Sequence, residues 1–388
     1  MSSYRYLIIG GGMTADAAAR AIREADAQGS IGIISSDPHP PYNRPPLSKG
    51  LWKGDDPAKT VWRGTETIGV DLRLGRRVTA INTKQHAVTD DRGNNISYEK
   101  LLLATGGTPR RLALQTGQII YYRTFDDYLR LRALANETLR FAVLGGGFIG
   151  SEIGAALKLV GRDVTMIVPE EGIGARVFPA DLSKFLVDYY REQGVDVRTG
   201  EGLANLQQSA SKVIVKTTHG KEIPVDVIVA GLGIVPNVEL AEQAGLHVEN
   251  GIVVDELLRT SAPDVYAAGD VANFFNPALG TRIRVEHEDN ANTMGAAAGR
   301  SMAGKGTPYT HLPFFYSDLF ALGYEAVGEL DPRLQTDSVW KERFREGVIY
   351  YLKDDKVRGV LLWNTWGQVD SARAIIGTTG RLGMINDQ

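Results

Sequence analysis

The sequence predicts an α/β protein made of two doubly wound units followed by a smaller α+β C-terminal domain. Three observations carry that prediction: a strand, glycine-turn, helix unit near the start, its recurrence from Phe141, and a change to aromatic, hairpin-like segments after Thr310. Strands alternating with helical stretches are the signature of a mostly parallel sheet covered by helices.

Tyr4–Ile9 is an apolar run read as a strand, followed by Gly10-Gly11-Gly12, an Ala-rich helix from about Thr14 to Ala27, and a second strand at Ile31–Ile34. Pro38–Pro46 holds five prolines in nine residues. Proline fixes φ and lacks an N–H, so a stiff extended loop without regular structure is expected there. Between Asp71 and Leu103, alternating runs and the turn Asp91–Asn95 predict a small antiparallel layer, which rejoins the sheet through Leu101–Leu103 and Ala104-Thr105-Gly106-Gly107. Thr124 and Asp127 have the spacing that caps a helix, here running to about Ala135. Phe141–Leu144, Gly145–Gly150, Ser151–Val160 and Val164–Val168 then repeat the opening unit, and Val225–Ala230 closes it. Val265–Asp270 is a third strand-to-glycine junction, and Ala291–Met302 a small-residue helix. Val348–Leu352 and Val357–Trp363 predict a hairpin around Asp354-Asp355, with a helix over Val369–Ile376 completing the last domain.

Composition removes several function classes. With 388 residues, 43% of them hydrophobic, the chain can fill two or three cores. It has no run of roughly eighteen apolar residues, so no membrane span is expected. The first strand begins at Tyr4, so a targeting segment is not expected and the location expected by default is cytoplasmic. The formal net charge of −3 and the lack of a basic block argue against a nucleic-acid partner. There is no cysteine. Disulfide exchange, thiolate catalysis and Cys-ligated metal or iron–sulfur centres are therefore excluded, and any redox chemistry needs a bound cofactor.

Gly10-x-Gly12-x-x-Ala15 and Gly145-x-Gly147-Phe148-Ile149-Gly150 fit the dinucleotide-binding pattern. The pattern alone is weak in a chain with 44 glycines. The context gives it weight, because each turn leaves an apolar strand and opens a helix, where backbone N–H groups and the helix dipole converge on a pyrophosphate. Two Rossmann-like dinucleotide-binding domains follow. An acidic residue ending the second strand should hold the adenosine ribose. In the first unit Ser36 and Asp37 share that position; in the second it is Glu170, with no arginine following until Arg176. A carboxylate accepts a hydrogen bond from a ribose 2′-OH and repels a 2′-phosphate, so NADH is expected over NADPH.

The two turns, Ala104-Thr105-Gly106-Gly107, Gly231-Leu232-Gly233-Ile234-Val235-Pro236-Asn237 and Tyr266-Ala267-Ala268-Gly269-Asp270 resemble the FAD/NAD-linked reductases of glutathione-reductase-like fold over nearly the whole chain. Pro41-Tyr42-Asn43-Arg44-Pro45-Pro46-Leu47-Ser48-Lys49 and Arg284-Val285-Glu286-His287 are similar to the ferredoxin- and rubredoxin-reductase group. The C-terminal Tyr316-Ser317-Asp318-Leu319, Gly323–Gly328 and Val360–Asn364 stretches look more like apoptosis-inducing factor and its bacterial relatives. The resemblance implies FAD in the first unit, NAD in the second, and domains at 1–112 and 237–308 (FAD), 113–236 (NAD) and 309–388 (C-terminal). It places Arg44, Lys49, Ala104, Thr105, Gly106, Gly269 and Asp270 with Gly10, Gly12, Ala15 and Ser36 or Asp37 at FAD. Gly231 and Gly233 join Gly145, Gly147, Phe148, Ile149, Gly150 and Glu170 at NAD.

By the same likeness Lys49 lies beside flavin N5 and O4 with Glu152 as its partner, and His287 near the flavin or nicotinamide. Tyr316 stands where these families usually carry a tryptophan. The bland alternatives are a loop-end cation, a helix-dipole carboxylate and a histidine paired with adjacent acids. No metal is expected at Glu286-His287-Glu288-Asp289, because successive helical residues point apart. Trp363 and Trp366 read as core more readily than as pocket, and Arg73, Arg76, Arg77, Arg110 and Arg111 as solvated charges more readily than as a docking face. The function expected is an NADH oxidoreductase that passes electrons through FAD to a quinone, to oxygen or to a redox protein. A ferredoxin or rubredoxin reductase is the alternative. The rival from another class is an interaction protein switched by NADH, with a homodimer as its candidate assembly.

Overall fold

The computed structural model describes residues 2–113, 117–137, 139–209 and 212–379. The described chain forms two compact units, one from Met1–Asn43, Pro57–Thr108 and Val235–Pro313, the other from Arg44–Asp56, Pro109–Ile234 and Phe314–Gln388. Among the described residues no helix is long and apolar enough to cross a membrane.

The first unit is built on the strand Ser2–Ile9, whose last four residues are all buried, as a strand covered by helices requires. It pairs in parallel with Ile31–Ile34 on one side and Asn95–Leu103 on the other, with Ile9 opposite both Ile34 and Leu103. Val70–Arg73 extends one edge, and Val265–Ala267 joins Asn95–Leu103 in parallel. The expected antiparallel layer is Val78–Asn82 and Ala87–Asp90. The helix Met13–Ala25 packs on Glu288–Met302 at glycine distance: a Cβ at Gly295 would sit 2.5 Å from the Thr14 carbonyl oxygen, and one at Gly299 2.3 Å from that of Ala18. Small residues in these helices are thus a packing requirement. Asp16, fully buried in the first turn, ties this layer to the chain beyond the proline loop. It accepts from Arg20 Nε at 3.0 Å, Arg63 Nε at 2.7 Å and the Thr65 hydroxyl at 2.6 Å.

The second unit repeats the parallel plan in the order Asp196–Thr199, Asp163–Val168, Arg140–Leu144, Val227–Ala230 and Ile119–Ile120. The Phe148–Leu159 helix packs on this sheet, starting one turn before the residues expected. Thr124 and Asp127 form the capping box of the Phe125–Leu134 helix as read from their spacing. A five-stranded antiparallel sheet follows, ordered Phe314–Leu319, Leu322–Gly328, Lys356–Trp363, Glu346–Lys353 and Gln335–Glu342. Its hairpin turns at Asp354 and Asp355, as expected, and Trp363 is fully buried, with its indole N–H on the Phe344 carbonyl. Trp366, by contrast, is 48% exposed. The proline loop corrects its expectation of irregularity. Pro45–Ser48 is a 3-10 turn with prolines at its first positions, where a missing N–H costs nothing.

Candidate functional site

Each glycine turn is shaped for a group that approaches the backbone closely. In the first unit Gly10 has φ of +115°, and a Cβ there would lie 2.1 Å from the Ala104 carbonyl oxygen, so only glycine leads the strand into the turn. Gly12 caps the Met13–Ala25 helix without a side chain, and a Cβ built on it meets no atom within 4 Å. That open cradle at a helix N-terminus fits a pyrophosphate. Ala15 is buried at the third motif position. The Ala104–Gly107 crossover is stitched down by Asn237, whose side-chain amide donates to the Thr105 carbonyl at 2.8 Å while the Thr105 hydroxyl donates to the Asn237 carbonyl at 2.8 Å. Gly269 turns with positive φ against Thr14, and Arg284 donates to the Asp270 carbonyl at 3.0 Å.

At the end of Ile31–Ile34 both oxygens of Asp37 are engaged within the proline loop, accepting from the His39 N–H at 3.0 Å and the Tyr42 hydroxyl at 2.9 Å. The exposed side chain at this strand end is that of Ser36. His287, half-buried, is the N-cap residue of the Glu288–Met302 helix. Its neighbours have partners of their own: Glu286 pairs with Arg284 at 2.7 Å and Asp289 with His311 at 2.5 Å.

In the second unit Gly145 has φ of +101°, and a Cβ there would come within 2.6 Å of the Gly231 carbonyl oxygen. Gly150 lets the helix close on that turn, since its Cβ would be 2.1 Å from the Gly145 carbonyl oxygen. Gly147 and Gly233 open on empty space. These surfaces fit a second dinucleotide. Phe148, 37% exposed, meets the Phe315 ring edge-on at 5.4 Å. Glu170 departs from the simple ribose reading. Arg176, distant in the sequence pattern, lies within 2.6 Å of its carboxylate. The expectation of an arginine-free ribose end is therefore corrected, because the chain folds back within six residues and delivers a guanidinium to the acid.

The second unit also assembles the candidate redox residues. Leu47's carbonyl is held by the Trp52 indole at 2.8 Å and by the Tyr122 hydroxyl, so the backbone entering Lys49 is fixed from two sides. Lys49 Nζ reaches Glu152 Oε1 at 2.8 Å and stands 5.0 Å from the centre of the Tyr316 ring. Glu152 is 3% exposed in the second turn of the Phe148–Leu159 helix. It also accepts from the hydroxyls of Ser48 at 2.5 Å and Ser317 at 2.6 Å, residues that the sequence reading left unassigned although both sit inside its motifs. Burial pushes the Tyr190 and Tyr324 phenols well above their ordinary range, and the Glu152 charge raises both further, so they remain neutral. A cation held by a satisfied buried carboxylate beside an aromatic ring is equipped to stabilise negative charge that develops on a neighbouring group.

Residues 4–295 match the pyridine nucleotide-disulphide oxidoreductase family, and residues 298–343 and 340–378 match the mitochondrion-associated C-terminal domain of apoptosis-inducing factor. The chain is 35% identical to the mitochondrial apoptosis-inducing factor 1 of Dictyostelium discoideum over 97% of its length and 79% of that protein. It is 37% identical to the ferredoxin reductase subunit of the 5,5′-dehydrodivanillate O-demethylase of Sphingobium sp., covering 84% of this chain and 82% of that one. In structure it is similar to putidaredoxin reductase in its covalent complex with putidaredoxin, with a TM-score of 0.90, 29% identity, and coverage of 97% and 94% of the two chains.

Proposed function

The chain belongs to the pyridine nucleotide-disulphide oxidoreductase family as an NAD(P)H-dependent flavoprotein that uses FAD and NAD, and on that premise we propose that it delivers electrons singly to a small iron–sulfur carrier of the ferredoxin type. The observation that carries the reading is the Lys49–Glu152 pair beside Tyr316 in a chain without cysteine. The disulphide in the family's name has no counterpart here, so electrons leave to a separate acceptor. The balance is one NADH and two oxidised carriers giving NAD⁺, a proton and two reduced carriers.

FAD, when bound, accepts two electrons as hydride and returns them one at a time. We assign it to 1–112 with 237–308, held by the Gly10–Ala15 turn, Arg44, Thr105 and Asp270, and we assign NAD to 113–236, held by the Gly145–Gly150 turn and Glu170. Lys49 supplies the fixed positive charge for the reduced cofactor, Glu152 holds that charge in place, and Tyr316 gives the ammonium an aromatic face. We assign His287, on the first unit, to the flavin or the nicotinamide, as the family resemblance implies. Location in the cytoplasm, where NADH is supplied, accords with this reading.

The likeness of residues 298–378 to the C-terminal domain of apoptosis-inducing factor favours a second reading, in which NADH reduction switches association with a second copy of the chain. One experiment separates the two. Protein reduced by NADH in a stopped-flow instrument is mixed in turn with ferredoxin, a quinone and oxygen, and its size is followed by light scattering. Rapid reoxidation by ferredoxin without a change in size is expected. Slow reoxidation by every acceptor, with NADH-dependent dimerisation, overturns the carrier reading in favour of the switch.

A further inference from the structure

Among the described residues, two of the three donors on the buried Glu152 carboxylate belong to residues with no part in the reaction so far. The Ser48 hydroxyl donates to Oε2 and the Ser317 hydroxyl to Oε1, while Lys49 Nζ also reaches Oε1. Both serines are themselves buried, 7% and 0% exposed. A carboxylate removed from water is strongly driven to take up a proton unless donors replace the lost hydration. Each hydroxyl here also occupies a lone pair, which fixes the rotation of the carboxylate about its own axis. The serines arrive with the groups they serve, because Ser48 precedes Lys49 and Ser317 follows Tyr316.

We propose that Ser48 and Ser317 are positioning residues that keep Glu152 ionised and turned toward Lys49, so that the ammonium is presented in one place beside Tyr316. The proposal rests on the reading of Lys49 as the cation that serves FAD. The titratable groups facing Glu152 are few. Lys49 comes from the proline loop, Tyr122 from the segment leading to the Phe125–Leu134 helix, Tyr190 from the Ala180–Glu192 helix and Tyr324 from the Leu322–Gly328 strand. Burial holds all three phenols above their ordinary range, leaving Lys49 as the ion-pair partner of the carboxylate among these groups.

The test uses the holoenzyme with Ser48→Ala, Ser317→Ala, the double variant and Ser317→Thr. The first readout is the infrared band of a protonated carboxyl followed from about pH 5 to 9 and assigned by its loss in Glu152→Gln. The second is the flavin midpoint potential against pH, and the third is single-turnover reduction by NADH. In the double variant, stripped of both hydroxyl donors, the carboxyl should take up its proton at a higher pH than in the wild type. Below that midpoint, reduction should slow about three- to tenfold and then recover as pH rises. Ser317→Thr, which keeps the hydroxyl, should titrate as wild type. A double variant whose carboxyl titrates like the wild type, or whose rate falls equally at every pH, overturns the proposal. Should the double variant fail to load FAD, the single variants decide by the same criteria. A carboxyl that shifts as expected while Lys49→Ala leaves the potential unchanged overturns the Lys49 premise, and the functional part of the proposal with it.

Discussion

Lys49 sits 13% exposed by side chain, with its charge balanced by a carboxylate on one side and an aromatic face on the other. Lys49→Ala should slow hydride transfer from NADH by about an order of magnitude and lower the flavin potential, since it removes one fixed charge at a developing anion. Stopped-flow reduction and potentiometry check both, and unchanged values return Lys49 to the role of a loop-end cation. The second residue of consequence is Arg176, 84% exposed by side chain yet bound to Glu170. So open an ion pair is worth little, about 0–1 kcal/mol, and can be exchanged for a ligand. A 2′-phosphate would find a guanidinium in reach. Discrimination between the two nicotinamide nucleotides should therefore be modest. Arg176→Ala should raise the NADH-to-NADPH ratio of kcat/KM several-fold and Glu170→Ala should lower it; a ratio unmoved by either variant removes both from the ribose end. The pairing of Lys49 with Glu152 was legible through the family resemblance, whereas the serine shell was not. Hydroxyls from positions 48 and 317 meet a carboxylate at 152 only once the chain has folded, and nothing in their local sequence distinguishes them from solvent-facing serines.

Elements read best where backbone chemistry leaves no choice. The Asp354-Asp355 turn has φ of 51° and 58°, the left-handed pair that a two-residue hairpin demands, and asparagine, aspartate or glycine supplies it most easily. Asp355→Gly should stabilise the protein by about 0.5–1 kcal/mol by relieving the side-chain penalty of that conformation, measured as a raised thermal or denaturant midpoint. The proline loop read less well, because five prolines exclude long helices and strands but are compatible with a single 3-10 turn at Pro45–Ser48. The Met13–Ala25 helix carries a third lesson. Burial alone would raise the Asp16 carboxyl, yet hydrogen bonds from Arg20, Thr65 and Arg63 outweigh it and hold the group below the ordinary carboxylate range. A carboxyl depressed in the folded state stabilises the fold above its unfolded value and loses that contribution as pH falls through the folded one. Asp16→Asn should thus destabilise the first unit at neutral pH by about 3 kcal/mol or more, by leaving the half-buried Arg63 guanidinium with only the neutral Asn43 and Asn292 side chains as partners, and should flatten the acid limb of unfolding. Denaturant unfolding at pH 7 and pH 3 tests this; a constant difference between wild type and variant at the two pH values sinks it.

For the molecule as a whole, the repetition of strand, glycine turn and helix was legible because its periodicity is local. The charge landscape an acceptor meets was not, because which charges pair is settled only when strands and turns take their folded geometry. Arg73 pairs with Asp71, and Arg76 with Asp90, so two of the five arginines considered for docking are neutralised where they stand. Arg110 and Arg111 remain exposed, with Arg111 resting 4.9 Å from the Tyr121 ring centre. On a protein of net charge −3, long-range attraction for an acidic carrier must come from such a local patch rather than from the overall field. If a ferredoxin is the acceptor, its second-order reduction rate should fall steeply between low and physiological salt, as contacts steered by exposed charge are screened within about 10 Å. Arg110→Glu with Arg111→Glu should lower that rate about tenfold or more at low salt while leaving reduction by NADH unchanged, since Arg110 meets the Gly233 carbonyl through its backbone N–H, which the substitution keeps. A rate indifferent to salt and to both substitutions points instead to a neutral quinone, or to oxygen, as the group that discharges the flavin.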